Sequence, residues 1–492
     1  MLSIELIYEI VNQEKNSCYS LIKGRDQTVA KKISVTETVT TARLAIEKEK
    51  FLSPSFKIVM DGVLDLVVTL SNRLGLDSSN SSKPPGQDPN RIRKTKKSKG
   101  RRRKPGGQKG RKGSFLQQVA TPTESEDILI DRATLPPGRY DHIGFESRQV
   151  FEVEVSLHVK EYRSEIVKNK NGVEFVADFP EGVTEPAQYG SSVKATSVYL
   201  SQFQLIPLDR VRDCFHDQFG LPLSKGSISH FNVLAYKKLD SFEDWAKQQL
   251  TVSPCNNSDE TGINVGGKRF WLHCLSNELV TLFHPDEKRG KDAMDRMGIL
   301  PGFKGTLVHD HWKPYFRYED CLHALCNSHH LRELERACEQ DGQKWAKGMQ
   351  KLLIEMKEAM ECAGGAMSKK QADKFRKRYR RLLAKAEKEC PLDLKSRAQS
   401  KSRNLLMRLQ EFETETLRFM EDPNVPFTNN RAENDQRMTK VQQKISGCFR
   451  SMEGARIFCR IRSYLLTCRK NGIKPSEALR ILFSGGLPAF IT

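Results

Sequence analysis

Between Cys255 and Asp310 the spacing of apolar and polar residues changes period several times, and each change marks an element. Cys255 to Val265 is rich in β-type residues and is followed by Gly266-Gly267, a strong hairpin signal. Arg269 to Leu275 is the expected returning strand and Glu278 to His284 a third. Ala293, Met297 and Leu300 then fall at roughly helical spacing within Arg289 to Leu300. Thr306-Leu307-Val308, after Gly305, is a short apolar run that ends at Asp310, as a buried strand would. One acid, Asp259, thus sits on the first strand and another, Asp310, at the tip of the fourth. Acids at strand tips of α/β sheets face a ligand crevice.

The same pattern divides the rest of the chain. Mixed β-type and charged residues from Met1 to Lys50 predict little. Phe56, Val59, Val63, Leu66 and Leu70 repeat at three and four residues between Pro54 and Gly75, which predicts an amphipathic helix. Its two heptads fit an ordinary surface helix and a dimer seam equally well. Alternation at Val150, Glu152, Glu154 and at Val153, Val155, Leu157 predicts strands of a small β unit. Leu208, Val211, Phe215 and Phe219 are helical and stop at Gly220. Ser224 can cap a second helix carrying Ile228, Phe231, Ala235 and Leu239. That is the outline of a helix-turn-helix, with Lys225, Ser227, Ser229, His230 and Asn232 expected to face outward, although most helix pairs of this length only pack on neighbours. Residues 341–422, rich in Lys, Glu, Ala, Leu and Arg, predict long charged helices. Two further helices are expected at Ala455 to Cys468 and Ser476 to Phe483.

Charge changes the picture. The 492 residues carry 81 Lys and Arg against 61 Asp and Glu, a net +20 that points to a polyanionic partner. Thirteen of those cations lie between Arg91 and Lys112 with no acid among them, which leaves about +7 for the remainder. This run, with Arg101, Arg102, Arg103, Lys104, Lys109, Arg111 and Lys112, belongs to a Ser-, Pro- and Gly-rich linker too polar to bury a core. It suits a non-specific phosphate clamp, and a merely solvating linker is the alternative. Twelve cysteines without a regular framework and no leader at Met1 suggest a reducing compartment. No apolar run approaches the roughly 18 residues of a membrane span. A cytoplasmic, nucleoid-associated protein is expected.

Strand, strand, strand, helix, strand, with Asp259 and Asp310 so placed, is the opening of a ribonuclease-H-like α/β fold, and a third acid would complete a metal site. Asn429 and Asn430 are good N-cap residues for a helix carrying Glu433. Glu433, Arg437, Lys440 and Lys444 follow at steps of four, three and four, on one helix face. Solvated salt bridges are the plain alternative for that face. Beside Asp259, Glu260 competes for the site, because neighbours on a strand point to opposite faces and only one of them can serve.

Four segments then carry a resemblance. DETG around Asp259, VHDHWKPY around Asp310, CNSHHLREL around Cys326 and TNNRAEND around Glu433 resemble, in that order, the IS66 family of bacterial insertion-sequence transposases. The resemblance implies that Asp259, Asp310 and Glu433 are the metal-binding and catalytic triad, and it selects Asp259 over Glu260. It implies a DDE transposase with a ribonuclease-H-like core, acting on double-stranded DNA as a homo-oligomer. Arg437, Lys440, Lys444 and Lys225 would contact DNA along with the basic run. Two Mg²⁺ ions, with Mn²⁺ as a substitute, suit three carboxylates, since hard cations take oxygen ligands and paired ions serve both ends of an in-line phosphoryl displacement. Strand transfer after cleavage is implied by the resemblance alone. A catalytically inactive, domesticated DNA-binding protein and a metal-dependent nuclease without strand transfer are the alternatives.

Where many family members carry a zinc ribbon with two Cys-x-x-Cys pairs, this chain has no cysteine between Thr121 and Asp213, so its β unit must rely on its own core. Cys321, His323, Cys326 and His329 could in principle supply a tetrahedral zinc site, but such residues are commonly buried and satisfied, and zinc is not expected. Cys326 and His329 match a Cys-x-x-His that the family shows after its second Asp. The expected organisation is an N-terminal region with a helix (1–76), a basic disordered linker (77–120), a small β unit (121–185) and a helix-turn-helix-like unit (186–250). The first part of the catalytic core (251–340), an inserted helical subdomain (341–422) and the part carrying the third acid (423–492) follow.

Overall fold

The computed structural model describes residues 35–49, 51–74, 116–153, 155–365, 367–392 and 399–491. The basic run between Arg91 and Lys112 lies outside them. Helices α1 (Val35–Lys48) and α2 (Pro54–Leu74) are packed together through Arg43, which pairs with Asp61 and Asp65. The apolar stripe of α2, from Phe56 to Leu70, remains exposed.

The alternation near Val150 does not form strands. A strand needs a partner, and among the described residues this segment pairs with none; Val150 and Val153 are 85% and 89% exposed. Among residues 116–185 the strands are confined to a short antiparallel ribbon, β1 (Ile166–Lys168) with β2 (Glu174–Val176), turned by Asn169 to Gly172.

The next helices are α3 (Ser191–Val198), α4 (Leu208–Phe219), α5 (Lys225–Lys238) and α6 (Asp240–Thr251). Gly220 closes α4 in the left-handed conformation, and the Ser224 hydroxyl accepts from the Ser227 N–H, as the capping pattern predicts. Val211, Phe215, Ile228, Phe231 and Ala235 do not form a detached core. They belong to one apolar cluster with Leu275, Leu282 and Leu307 of the sheet and Tyr464, Leu465 and Leu479 near the C-terminus. Asn232, expected outside, is buried, and its amide oxygen accepts from Ser201.

The sheet contains β3 (Cys255–Val265), β4 (Lys268–Ser276), β5 (Thr281–Asp286), β6 (Thr306–His309) and β7 (Leu322–Leu325), in the order β5-β4-β3-β6-β7. Gly266 and Gly267 both have positive φ, +57° and +83°, the conformation a two-residue hairpin turn demands. The β3-β4 and β4-β5 pairs are antiparallel, and the β3-β6 and β6-β7 pairs parallel. Helix α7 (Lys291–Met297) precedes β6, all of whose residues are buried, as a strand covered on both faces requires.

From β7 the chain is helical: α8 (Asn327–Glu339), α9 (Lys344–Cys362), α10 (Lys369–Glu389), α11 (Lys401–Glu411) and α12 (Glu413–Leu417). Their core, built on Trp345, Met349, Leu353, Tyr379 and Leu406, reaches the sheet at Cys255, Val308 and Ala324. Helix α13 (Asn430–Ser446) follows, then α14 (Met452–Lys470) and α15 (Pro475–Phe483). Hydroxyls of α14 cover the open edge of β5: Thr467 and Ser463 accept from the N–H groups of Thr281 and Phe283. An edge strand left with bare N–H groups would invite another chain to pair.

Helix α13 lies on one sheet face and is fastened to β3 at both ends. At its start Asn429, 1% exposed, donates to the Ser258 carbonyl at 2.7 Å and accepts from Asn257 at 2.9 Å. Beyond its end Phe449 donates to the Asn264 carbonyl at 2.9 Å and accepts from the Gly266 N–H at 2.8 Å. Ala432 packs on that face with Ile263, Leu272 and Cys274.

Candidate active site

Register brings the first two acids together. In the β3-β6 pair, Asn257 stands opposite Val308, so two residues further on Asp259 is level with Asp310 where the strands part. Alternation puts Asn257 and Asp259 on the face that α13 covers, and Ser258 and Glu260 on the other. The hydrogen bonds agree. Asn257 meets Asn429, whereas Ser258 and Glu260 both meet the Tyr315 hydroxyl, at 3.1 and 2.6 Å. Glu260 is thereby committed elsewhere, and it also accepts two bonds from Arg289, at 2.5 and 2.9 Å.

Glu433 arrives on the first turn of α13. Asn429 locates that turn, since besides its two bonds to β3 its N–H donates to Cys326 Sγ at 3.1 Å, at the N-cap of α8. Strand, α8 and α13 therefore meet at one buried residue. Glu433 keeps one buried oxygen, Oε1, without a hydrogen-bond partner.

The electrostatics are those of a cluster short of positive charge. Burial, and then the charges of Glu260, Asp310 and Glu433, hold the Asp259 carboxyl well above the usual range. Burial, and then Glu260, push Asp310 up to about 6, although the Trp312 N–H donates to its Oδ1 at 3.0 Å and Arg289 opposes the rise. An Asp259 carboxyl raised by burial and neighbouring carboxylates, a raised Asp310 beside it, and an orphaned oxygen on Glu433 are the kind of donor set a divalent cation would relieve.

The four cysteine and histidine residues that could in principle have held zinc separate into two places. Cys326 and His329 share a group with Glu433, all three donor atoms lying within 4.8 Å of one another. Cys321 and His323 lie instead beside His309, whose Nε2 is 3.0 Å from His323 Nδ1. That Glu433 belongs with Cys326 and His329 was not legible in the sequence, where they stand a hundred residues apart. Arg289, stacked 4.8 Å from the Trp271 ring and 4.3 Å from the Trp312 ring, was missed also. The WKPY segment held the signal for Trp312, on which Arg289 stacks, and for Tyr315, which shares Glu260 with it.

Of the expected DNA contacts, Arg437 and Lys444 are exposed on α13. Lys440, exposed like them, is nevertheless engaged: its ammonium donates to the Gly262 carbonyl of β3, and partial burial and then Arg269 lower its pKa. Lys225 pairs with Asp209 at 3.0 Å at the surface. A cavity of about 260 Å³ opens beside Asp310, lined by His311, Trp312, Cys326, His329 and Arg408. No helix among the described residues is long and apolar enough to cross a membrane.

The family model described as Transposase IS66 family matches residues 186–457, more than half of the chain. The match runs from just before α3 into α14 and includes all three acids. A comparison with curated proteins gave no match.

Proposed function

The chain belongs to the IS66 family of transposases, and from that membership we propose that it is a DDE transposase that cuts DNA strands at an element's ends and joins them to a target. The observation that supports this reading is that Asp259 comes level with Asp310 where β3 and β6 part, while Glu433 on α13 lies near enough for its charge to raise the Asp259 carboxyl. The strand order, with three antiparallel strands continued by two parallel ones, supports a ribonuclease-H-like core into which α9 to α12 are inserted as a helical subdomain.

In this reading Asp259, Asp310 and Glu433 would hold two Mg²⁺ ions, which would supply an activated water or 3′ hydroxyl and stabilise the leaving oxygen. Asp259, whose carboxyl the charges of Asp310 and Glu433 both raise, would ionise once cations offset them. The Trp312 N–H orients the Asp310 carboxylate. Asn429 fixes the first turn of α13 and with it Glu433. Arg289, clamped by Glu260 and stacked between two tryptophans, keeps Glu260 away from the ions. Arg437, Lys444 and the basic run between Arg91 and Lys112 bind phosphates without choosing a sequence.

Asp259→Asn, Asp310→Asn and Glu433→Gln should each lower Mg²⁺-dependent cleavage of end-containing DNA by at least about 1000-fold, equivalent to some 4 kcal/mol of barrier, with DNA affinity retained. The assay scores binding, nicking and joined product in one reaction. Binding without nicking by the unmodified protein would identify a DNA-binding protein without catalysis, and nicking without joining a nuclease. Near-normal nicking by any one variant removes that residue from the triad.

A further inference from the structure

The cleavage reading leaves Cys326 and His329 unused, although both stand against one of its acids. Cys326 Sγ, His329 Nε2 and a Glu433 oxygen lie within 4.8 Å of one another, and the His329 Nε2 to Glu433 Oε1 distance is 3.8 Å. Zinc bonds of about 2.0–2.3 Å in tetrahedral geometry separate ligand atoms by roughly 3.3–3.8 Å. The imidazole and carboxylate already meet that spacing, and the thiol lies within 4.8 Å of both.

A second observation points to a missing ligand. Glu433 Oε1 is buried without a hydrogen-bond partner, and it is the very atom nearest His329. A buried carboxylate oxygen left bare is costly, and a cation would satisfy it. Burial, and the charge of Glu433, raise the pKa of the Cys326 thiol in the metal-free protein, while backbone N–H groups oppose the rise, so that a cation is what would draw the thiolate out. Cys326 caps the 13-residue helix α8, and the Asn429 N–H already donates to its sulfur. Cys326 and His329 also line the cavity beside Asp310, which gives an ion a way in and leaves a fourth position open.

We propose that Cys326, His329 and Glu433 form a zinc site that shares Glu433 with the cleavage site, so that bound zinc withdraws that carboxylate from Mg²⁺ and silences cleavage. The donor set sorts the two metals. A thiolate and an imidazole select zinc over Mg²⁺, which prefers oxygen ligands alone. Binding releases the thiol proton to solvent and makes no other covalent change. The silencing rests on the cleavage reading; the binding does not.

The test uses the full chain, reduced and stripped of metal, with Co²⁺ as a spectroscopic probe and Zn²⁺ as its competitor. The wild type should show a thiolate-to-cobalt charge-transfer band that one equivalent of Zn²⁺ removes. Cys326→Ser should lose the band. His329→Gln and Glu433→Gln should weaken zinc binding by at least about 100-fold, more than the loss of an outer partner brings. Cys321→Ser, from the other cysteine and histidine group, should keep the band. Retention of both band and affinity in Cys326→Ser and His329→Gln overturns the site. If Cys326→Ser fails to fold by circular dichroism, the partly exposed His329→Gln decides alone. Zinc added against excess Mg²⁺ should cut wild-type nicking at least about tenfold while changing the rate of His329→Gln, relative to its own zinc-free rate, much less. Zinc-insensitive nicking with the band intact would overturn the sharing of Glu433. A protein that shows the band but nicks under no condition counts against the cleavage reading and leaves the zinc site standing.

Discussion

Asp310 is the residue whose titration reports on the site. Its folded pKa of about 6 lies above the ordinary carboxylate value near 3.8, so the folded, metal-free protein holds this proton more tightly than the unfolded chain. Stability is therefore lost as pH rises from about 4 to 6, and a bound cation, which favours the ionised form, restores it. Mg²⁺ affinity should weaken as pH falls below about 6, and the gain in melting temperature on adding Mg²⁺ should be larger at pH 7 than at pH 5. His329, kept neutral down to about 4 by burial and the nearby Arg332 and Arg408, does not titrate within that window. An Mg²⁺-induced melting shift of the same size at both pH values would remove Asp310 from the ligand set. Lys440 and Arg437 separate the two roles of the α13 surface. The Lys440 ammonium is bound to the Gly262 carbonyl, so Lys440→Ala should cost about 1 kcal/mol of stability and leave the salt dependence of DNA binding unchanged. Arg437→Ala, at an exposed position, should lower the salt slope by about 0.9 with the melting temperature unmoved. A reversed pattern would show that Lys440 leaves β3 to meet DNA.

At the scale of elements, Gly305 controls how β6 approaches β3. A Cβ there would stand 2.4 Å from the Ser253 carbonyl oxygen and 2.7 Å from that of Pro254, backbone atoms that cannot rotate away. Gly305→Ala should destabilise by at least about 2 kcal/mol, as overpacking does. It should lower cleavage more than DNA affinity, because Asp310 ends the strand that must shift; equal melting temperatures for variant and wild type would sink this account. Local signals made these elements legible in the sequence. The Gly-Gly turn, the buried run to Asp310, the Ser224 cap and the Gly220 stop all lie where the chemistry of single residues predicts. The alternation near Val150 misled because period two records only that a segment could be a strand, while a ladder needs a neighbour. Asn232 misled in the same way: helical spacing placed it outward, and Ser201, far off in sequence, drew it in. Cys326, His329 and Glu433 are brought together where the Asn429 N–H at the start of α13 meets Cys326 at the N-cap of α8, a contact that no local pattern encodes.

Over the whole molecule, charge and geometry divide the work. The net +20 is concentrated in the run from Arg91 to Lys112, and its deletion should weaken binding to duplex DNA of any sequence. The salt slope should fall by about 0.9 for each phosphate that the shortened chain no longer neutralises. Unchanged affinity and slope would make the run a solvated linker. The three acids, by contrast, are positioned by the sheet and by α13, and the attachment of that helix to β3 at both of its ends fixes an order of events. A helix tied down at each end resists hinging, so only side-chain rotation, and not movement of α13, can carry the Glu433 carboxylate toward or away from Asp259. The backbone positions that bear the carboxylates are set once, as the chain folds. In the proposed reading, metal binding should then need no DNA, and Mg²⁺ should raise the melting temperature of the DNA-free protein. Whatever moves to admit the double helix belongs to the surrounding layers, leaving timing, rather than shape, as the thing those layers control.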